Sequence, residues 1–320
     1  MNHTFLRCCA VLLLIGFGLA WFKPAHAQAV SCSASMSDVN FGNVDPQSSR
    51  TDTTGTLAYS CTNNDHGPQT IALCFSLLGQ ETDPRSMADG AGDALQFQLY
   101  TDPARTQPWG NMGFGTQVQG FLLKVASGQT SSASATIQAR VLGGQTSAVP
   151  GAYTDFFLPG YFRFTTHAGG GTPASCLDSG DFGLFNGFRT TAQVTAQCTV
   201  SAATLDFGTV GLLAGAVPGT STISVQCASG TPYDVGLDAG LNGGGNINAR
   251  RMVLGANSIA YQLYRDPGRT LVWGNTVDTD TVAGTGNGNA QSLAVYGSVP
   301  TQPTPPAGTY NDTITVTVTY

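Results

Sequence analysis

The sequence predicts an all-β protein made of two tandem β-sandwich domains, and three observations support this prediction. Short segments alternate apolar and polar side chains with a period of two, as half-buried strands do. The chain contains 41 glycines and 16 prolines, whereas stretches rich in Ala, Glu, Lys and Leu, which favour helices, are missing. One half of the chain also repeats blocks of the other half in the same order.

The first 27 residues are typical of a secretory signal peptide. Arg7 supplies a positive charge, an apolar run extends from Val11 to Leu19, and Ala25-His26-Ala27 has the small-x-small pattern of a cleavage site. We therefore expect a mature chain that begins at Gln28. A retained membrane anchor is the alternative, but the run is shorter than the roughly 20 apolar residues that a membrane-spanning helix needs.

The composition excludes two classes of partner. The chain has 13 Lys and Arg against 19 Asp and Glu, a formal net charge of −6 at pH 7. Nucleic acids and anionic membranes are bound through clusters of basic residues, and the sequence has no such cluster. A charged fraction of only 10% instead favours a protein that works outside the cell or packs into a polymer.

The cysteines predict disulfide bonds. Of eight cysteines, Cys8 and Cys9 lie in the signal peptide, and an even number in the secreted remainder favours disulfides over metal ligands or catalytic thiols. Two pairs have identical spacing, which leaves one pair over. The predicted pairs are Cys32–Cys61, Cys198–Cys227 and Cys74–Cys176. Since Cys61 and Cys227 share the parity of nearby apolar residues, we expect buried bridges between two sheets.

The repeated blocks divide the mature chain into two copies. The matches are Phe41-Gly42-Asn43-Val44 with Phe207-Gly208-Thr209-Val210, residues 97–103 with 261–267, Arg105-Thr106 with Arg269-Thr270, Trp109-Gly110-Asn111 with Trp273-Gly274-Asn275, and residues 150–155 with 307–312. This order indicates a tandem duplication. We place the two domains at residues 28–189 and 190–320, each with several short strands separated by turns such as Asn242–Asn246.

These blocks resemble a known family. The pattern Leu-Tyr-x-Asp-x-x-Arg-Thr-x-x-x-Trp-Gly-Asn, the early Phe-Gly-x-Val and the closing Gly-x-Tyr-x-Asp are similar to the signature of the spore coat U domain, over nearly the whole mature chain. Members of that family are pilins of archaic (Csu-type) chaperone–usher systems. The resemblance implies immunoglobulin-like, pilin-type β-sandwiches, of which the C-terminal one lacks its last strand.

The resemblance also implies partners and a position in a fibre. In such pili a periplasmic chaperone lends the missing strand, an outer-membrane usher assembles the fibre, and the N-terminal extension of the adjacent pilin subunit replaces the chaperone strand. A shaft subunit has one domain and a donor segment of about ten or more residues. Here two domains are present and only Gln28 to Ser31 precede Cys32, which predicts a tip subunit.

The two copies are expected to divide the work. The C-terminal copy would be the pilin domain, and its last segment would form the edge that meets the chaperone and the donor strand. The residues predicted for this edge are Ile314, Val316, Val318 and Tyr320. The N-terminal copy would be the adhesin domain. The segment after Cys176, which contains Phe182, Leu184, Phe185 and Phe188, is predicted to be its own closing strand.

Two apolar stretches are candidates for a surface-binding site. They comprise Phe156, Phe157, Leu158, Tyr161 and Phe162 around a Pro-Gly turn, and Trp109, Met112 and Phe114 in a second loop. The alternative, that most of these rings fill the core, is favoured because large apolar patches are uncommon on soluble proteins. Trp109 has a counterpart in Trp273, which favours a structural role for it.

The sequence provides no basis for an enzyme or a cofactor. His66 and His167 are the histidines of the mature chain, and neither lies in a nucleophile or phosphate-loop motif. Asp278-Thr279-Asp280 lacks the further ligands of a calcium loop. Asp102 with Arg105, and Asp266 with Arg269, are interpreted as turns held by an ion pair.

The resemblance therefore implies a secreted tip adhesin of a chaperone–usher pilus, exported through the periplasm, which would attach cells to surfaces and promote biofilm formation. Two alternatives stay open. One is a tip lectin with a specific glycan pocket, and the other is a structural coat or matrix protein with no fibre. The surface or glycan ligand is not specified by the sequence.

Overall fold

The computed structural model describes residues 29–47, 50–78 and 84–320. In these ranges the regular elements are β-strands, with one 3₁₀ turn at Met112–Phe114. The predicted signal peptide lies outside the described residues. In the part that is described, no helix has both the length and the apolar character needed to cross a membrane.

The first half of the chain forms two packed sheets. Its strands are Val30–Met36 (β1), Val39–Val44 (β2), Arg50–Asn63 (β3), Gln69–Ser76 (β4), Arg85–Ala88 (β5), Ala94–Tyr100 (β6), Gln119–Val125 (β7), Thr130–Leu142 (β8), Gly151–Phe157 (β9), Tyr161–Ala168 (β10), Asp181–Leu184 (β11) and Phe188–Val194 (β12). One sheet has the order β1-β3-β8-β6-β5-β9-β12-β2, and the other has the order β11-β10-β4-β7. The apolar side chains of both sheets enclose a single core.

The second half repeats this plan with fewer strands. They are Cys198–Ala202 (β13), Val217–Cys227 (β14), Pro232–Leu237 (β15), Arg251–Leu254 (β16), Asn257–Ala260 (β17), Gln262–Tyr264 (β18), Val282–Thr285 (β19), Gln291–Val299 (β20) and Val316–Thr319 (β21). The sheets have the orders β13-β14-β20-β18 and β19-β15-β21, and β16 and β17 form a hairpin. A second core lies between the two larger sheets.

The predicted alternation of apolar and polar side chains at the C-terminus is present, but the strand is shorter than the alternating run. β21 begins at Val316, two residues after the start of the alternating run. Val316 and Val318 are half-buried against the core, whereas Thr317 and Thr319 are exposed. The strand therefore presents one apolar face to the core, as a period-two pattern requires.

The three disulfide bonds join the predicted pairs of cysteines, but two of them lie within one sheet and not between two sheets. The bonds are Cys32–Cys61, Cys74–Cys176 and Cys198–Cys227. The expected bridge between two sheets is wrong for the two evenly spaced pairs. In each domain the two cysteines lie opposite each other on neighbouring strands of one sheet, with Cα–Cα distances of 4.1 and 4.0 Å. Parity shows which face a residue is on, but not which strand lies beside it.

Matched contacts show that the two halves are structural duplicates. Trp109 and Trp273 are fully buried. The indole N–H of Trp109 donates to the carbonyl of Phe75 at 2.9 Å, and that of Trp273 donates to the carbonyl of Val235 at 2.8 Å. Because each tryptophan bonds to the strand across the core in the same way, its role is structural in both copies.

The Asp-Pro turns are held differently from the sequence interpretation. Asp102 accepts hydrogen bonds from the backbone N–H groups of Thr106 and Gln107. Arg105 reaches Asp52 instead, with 3.6 Å between Nη1 and Oδ2. The predicted ion pair within the turn is therefore wrong, because the backbone N–H groups saturate the aspartate.

We propose that the first domain extends beyond residue 189. β12 is hydrogen-bonded to β2 and β9, so all its residues belong to the first sheet. A boundary between residues 189 and 190 would cut this strand. We therefore propose that the linker is residues 195–197, between β12 and β13.

Candidate functional site

A groove opens between the two sheets of the C-terminal domain. It has a volume of about 330 Å³ and lies between the chain that follows β13 and the chain that precedes β21. Its apolar lining includes Leu205, Phe207, Leu237, Tyr261, Leu263 and Ile314. Several of these residues also contact the second core, so the groove is an opening into the hydrophobic interior.

The backbone on both walls of the groove is not part of a regular strand. Residues 203–210 and 312–315 have no strand assignment. β13 and β21 are terminal strands of their sheets, and among the described residues no strand lies between them. Strand edges that face an apolar opening are positioned to pair with an added strand.

In the N-terminal domain a segment of the same chain fills the corresponding position. β11 pairs antiparallel with β10, and Phe185 continues into a parallel bridge with Ala34 of β1. The Phe185 ring is buried and stacks on Trp109, with 6.3 Å between ring centroids. The segment therefore lies between β1 and β10, whose counterparts in the C-terminal domain are β13 and β21.

The second part of this segment closes the other sheet. β12 runs parallel to β2 and antiparallel to β9. Phe188, at its start, stacks on Phe157 with 4.5 Å between centroids. Between the two parts, the Asn186 side chain accepts from the N–H of Met36 at 2.8 Å and donates to its carbonyl at 2.9 Å. We name residues 181–194 the closing segment.

Burial differs between the domains where the closing segment is present or absent. Val44 beside β12 is 2% exposed, and its repeat counterpart Val210 is 41% exposed. Phe157 is buried, whereas Ile314, which follows the Gly-x-Tyr-x-Asp motif at the same distance, is half-buried. The groove is therefore the space that an N-terminal-type closing segment would cover.

The polar groups at the groove are paired with each other. Tyr261 donates its hydroxyl to Asp312 at 2.8 Å, and the Asn242 side chain donates to the other oxygen of Asp312 at 2.8 Å. Burial raises the pKa of Tyr261, and the bond to Asp312 raises it further, so the hydroxyl stays a donor. With this carboxylate satisfied, the groove offers an incoming strand mainly apolar surface.

The predicted edge residues flank the groove to different degrees. Ile314 and Val316 line it directly, and Val318 packs on the core further along β21. Tyr320 is exposed and lies beyond the last residue of β21. The groove residues on the opposite wall, such as Leu205 and Phe207, were not identified from the sequence, because strand order is not visible in a pattern.

The predicted surface-binding residues are divided between surface and interior. Phe114, Phe156 and Leu158 are exposed, by 69%, 55% and 58%. Tyr161 and Met112 are half-buried. In contrast, Phe157, Phe162 and Trp109 are buried in the core, so a surface-binding role is wrong for these three. β9 and β10 alternate, and their inward residues fill the sandwich.

Exposed apolar side chains also occur in the segment that the sequence assigned to closure alone. Phe182 and Leu184 lie on the outer face of β11 and are mostly exposed, while Phe185 and Phe188 point inward. Phe182 stacks on Tyr161 with 5.7 Å between centroids, and Tyr161 donates its hydroxyl to Asn111 at 2.9 Å. Leu122 of β7 is also exposed and was missed, although alternation with Phe121 and Leu123 signals it.

No group of three or more His, Cys, Asp or Glu side chains in the described ranges is placed to hold a metal ion. Asp278, Thr279 and Asp280 form a turn in which Asp280 accepts from the N–H of Thr276 at 2.7 Å.

Comparisons with known proteins give one family and one fold. The sequence profile of the Spore Coat Protein U domain matches residues 19–158 and 185–317. Protein U of Myxococcus xanthus is 34% identical in an alignment 145 residues long, which covers 40% of this chain and 80% of that protein. The two family matches leave out residues 159–184, which contain β10, Cys176 and β11.

A solved structure shares the two-domain fold. It is a chain of the chaperone–tip adhesion subunit pre-assembly complex from the archaic chaperone–usher Csu pili of Acinetobacter baumannii, with 17% identity and a TM-score of 0.53. The alignment covers 91% of this chain and all of that chain. The likeness shows that the fold is all-β, with tandem immunoglobulin-like, pilin-type sandwiches.

Proposed function

The chain belongs to the Spore Coat Protein U domain family, and on that premise we propose that it is the tip adhesin of an archaic chaperone–usher pilus. It would be secreted through the periplasm, displayed outside the cell, and mediate attachment to surfaces and biofilm formation. The observation that carries this proposal is the difference between the domains, one closed by its own chain and the other open at a strand-sized groove.

The open groove supports a subunit that receives a strand. Its walls, residues 203–210 and 312–315, have backbone outside any regular strand and half-buried apolar side chains such as Leu205, Phe207 and Ile314. An added strand would supply hydrogen bonds to both walls and cover the apolar lining. The proposed occupants are first a strand of a periplasmic chaperone and then the N-terminal segment of the adjacent pilin, with transfer at an outer-membrane usher.

The closed N-terminal domain supports a position at the tip. Its closing segment is covalently continuous with the domain, so that domain needs no donor. β1 pairs with β3 of the same domain from Val30 onward. The residues of β1 are therefore already used within their own sandwich and are not free to add a strand to another subunit. In this proposal the subunit accepts a strand and does not donate β1.

The exposed apolar side chains of the N-terminal domain are the proposed surface-binding residues. Phe114, Phe156, Leu158, Phe182 and Leu184 are each more than half exposed. Large apolar side chains left in water are candidates for contact with a partner surface. Burial of such side chains against an apolar material releases water and needs no specific pocket.

The acceptor role is tested with the full chain. A donor segment from the shaft pilin encoded beside it is fused after Tyr320 through a flexible linker, and a scrambled segment serves as the control. The donor is expected to raise the unfolding temperature of the C-terminal domain and leave the N-terminal transition unchanged. Equal unfolding temperatures for donor, scrambled and unfused chains would favour a self-contained coat or matrix protein.

The adhesive role is tested by substitution of exposed residues. Leu184→Ala with Phe114→Ala is expected to reduce attachment of piliated cells to plastic severalfold. Leu241→Ala, at an exposed residue of the C-terminal domain, is the matched control and should not change attachment. Inhibition by a defined glycan, with no loss in the double variant, would instead favour a lectin.

A further inference from the structure

The closed and the open domain have different residues at one position beside the closing segment. The N–H of Leu77 bonds to the carbonyl of Gly110, and that of Leu237 bonds to the carbonyl of Gly274, so Leu77 and Leu237 are equivalent. Val316 pairs with Leu237. Tyr161 pairs with Ser76, which places Gly160 opposite Leu77. Gly160 and Val316 therefore occupy the same position.

In the closed domain, Gly160 makes room for a phenylalanine of the closing segment. A Cβ atom at residue 160 would overlap the ring of Phe185. The N–H of Phe185 donates to the carbonyl of Gly160 at 3.0 Å, so the backbones are in direct contact there. The ring then packs between Trp109 and Phe75, with a centroid distance of 6.1 Å to Phe75.

In the open domain, a valine side chain stands in that space. Val316 is half-buried, lines the groove and packs on the core. Trp273, the counterpart of the tryptophan that Phe185 covers, is already fully buried without a ring from a closing segment. A phenylalanine arriving in the register of Phe185 would therefore overlap Val316.

At the position that contacts Phe188, the larger side chain is in the closed domain and the smaller one is in the open domain. Phe188 stacks on Phe157 in the closed domain, and the counterpart of Phe157 is the smaller Ile314. Ile314 lines the open groove together with Phe207 and Tyr261. The groove thus has room for a large side chain at the position of Phe188, three residues after the position at which Val316 removes room.

We propose that Val316 makes the C-terminal groove reject this chain's own closing segment and select donor strands by size. The selected strand is extended, with a small residue at the position of Phe185 and a large apolar residue three positions later. This inference rests on the proposed acceptor function of the groove. It explains why the closing segment of one copy does not enter the C-terminal groove of another copy. The groove excludes that segment through a steric clash between Phe185 and Val316.

The test measures binding of two peptides to the full mature protein. One peptide has the sequence of residues 181–194, and the other carries Phe185→Ala. The wild-type protein is expected to bind the alanine peptide about tenfold or more tightly than the parent peptide, because overpacking is strongly unfavourable. In Val316→Gly protein the parent peptide is expected to gain at least tenfold, since the space for the ring is restored.

Thr317→Gly is the matched control, because it removes a side chain from the same strand on the exposed face. It should leave the peptide preference as in wild type. Equal affinity of the wild-type protein for both peptides would overturn the inference, as would no gain on Val316→Gly. The peptide comparison in wild-type protein stands even if Val316→Gly protein does not fold.

Failure of this proposal is distinguishable from failure of the proposed function. The fused shaft donor reports whether the groove accepts any strand. A donor that stabilises the C-terminal domain while both peptides bind equally would leave the acceptor function intact and remove only the role of Val316.

Discussion

The two domains have the same inherited core but differ in how their last strand position is filled. In the N-terminal domain, residues 181–194 lie between β1 and β10 and then between β2 and β9. In the C-terminal domain the corresponding space is a groove of about 330 Å³. Trp109 and Trp273 make the same buried hydrogen bond in both. Whether each sandwich is complete therefore depends on whether its own chain supplies a closing segment, and not on its core.

The same comparison supports the proposal that one domain takes part in polymer assembly. A closed sandwich has its own chain in every position and presents side chains, such as Phe182 and Leu184, on its outer face. An open sandwich keeps apolar residues partly exposed until a partner covers them. In the proposed function, the duplication separates a surface-presenting domain from a strand-accepting domain within one chain.

The largest effect should come from removing the ring that closes the N-terminal domain. Phe185→Ala is expected to lower the free energy of unfolding of that domain by about 3–5 kcal/mol, because Phe185 is buried between Trp109 and Phe75. Urea unfolding of the full chain measures this. The C-terminal transition should not move.

Phe182→Ala is the control, because Phe182 lies in the same segment but is 63% exposed. Its expected cost is below about 1 kcal/mol. Similar losses for the two variants would mean that the segment adds stability through its backbone alone, and that Phe185 does not act as the closing side chain.

A slightly smaller effect is expected from the disulfide that precedes the closing segment. Cys74–Cys176 closes a loop with a sequence separation of 102 and ties β4 to the chain that leads into β11. Replacing both cysteines by alanine should cost the N-terminal domain about 2–4 kcal/mol and speed hydrogen exchange in residues 181–194. An unchanged exchange rate in residues 181–194 would show that the disulfide does not help to hold the closing segment in place.

The smallest of the three effects concerns an aspartate that holds the chain entering β21. Asp238 accepts from the N–H groups of Thr315 and Gly240, each at 2.9 Å. Burial alone would raise the pKa of Asp238, but these hydrogen bonds outweigh it and the pKa lies below its ordinary value. Its contribution to stability is therefore present above the unfolded pKa of about 4 and is lost as the pH falls through the folded pKa.

Asp238→Asn is accordingly expected to cost the C-terminal domain roughly 1–2 kcal/mol at neutral pH. The difference between variant and wild type should shrink as the pH is lowered below about 4. Urea unfolding at a series of pH values checks this. Parallel pH profiles for the two proteins would show that the carboxylate charge plays no part.

Much of the fold was accessible from the sequence because its signals are local. The repeated blocks around Trp109 and Trp273 indicated a duplication, and alternation predicted the β-strands. The aromatic segment after Cys176 was correctly interpreted as closing the first domain, since the structure places Phe185 and Phe188 in its core. These features can be predicted from the sequence because each depends on the spacing of residues along the chain.

The details that sequence reasoning missed depend on contacts between strands. Leu158-Pro159-Gly160 interrupts the alternation between β9 and β10, so the inward positions of Phe157 and Phe162 were not assignable from parity. The switch of the closing segment from one sheet to the other at Asn186 rests on a side-chain clamp to Met36. The groove itself needs strand order, which a linear pattern does not contain.

The most direct test of the central comparison is hydrogen–deuterium exchange on the full mature chain. We predict strong protection of residues 39–44 and 155–157, which β12 covers in the N-terminal domain, and rapid exchange of their counterparts, residues 205–210 and 312–314, in the C-terminal domain. A fused shaft donor should protect both walls. Equal protection of the two domains without any donor would contradict the account, because it would show that the C-terminal sandwich is already closed.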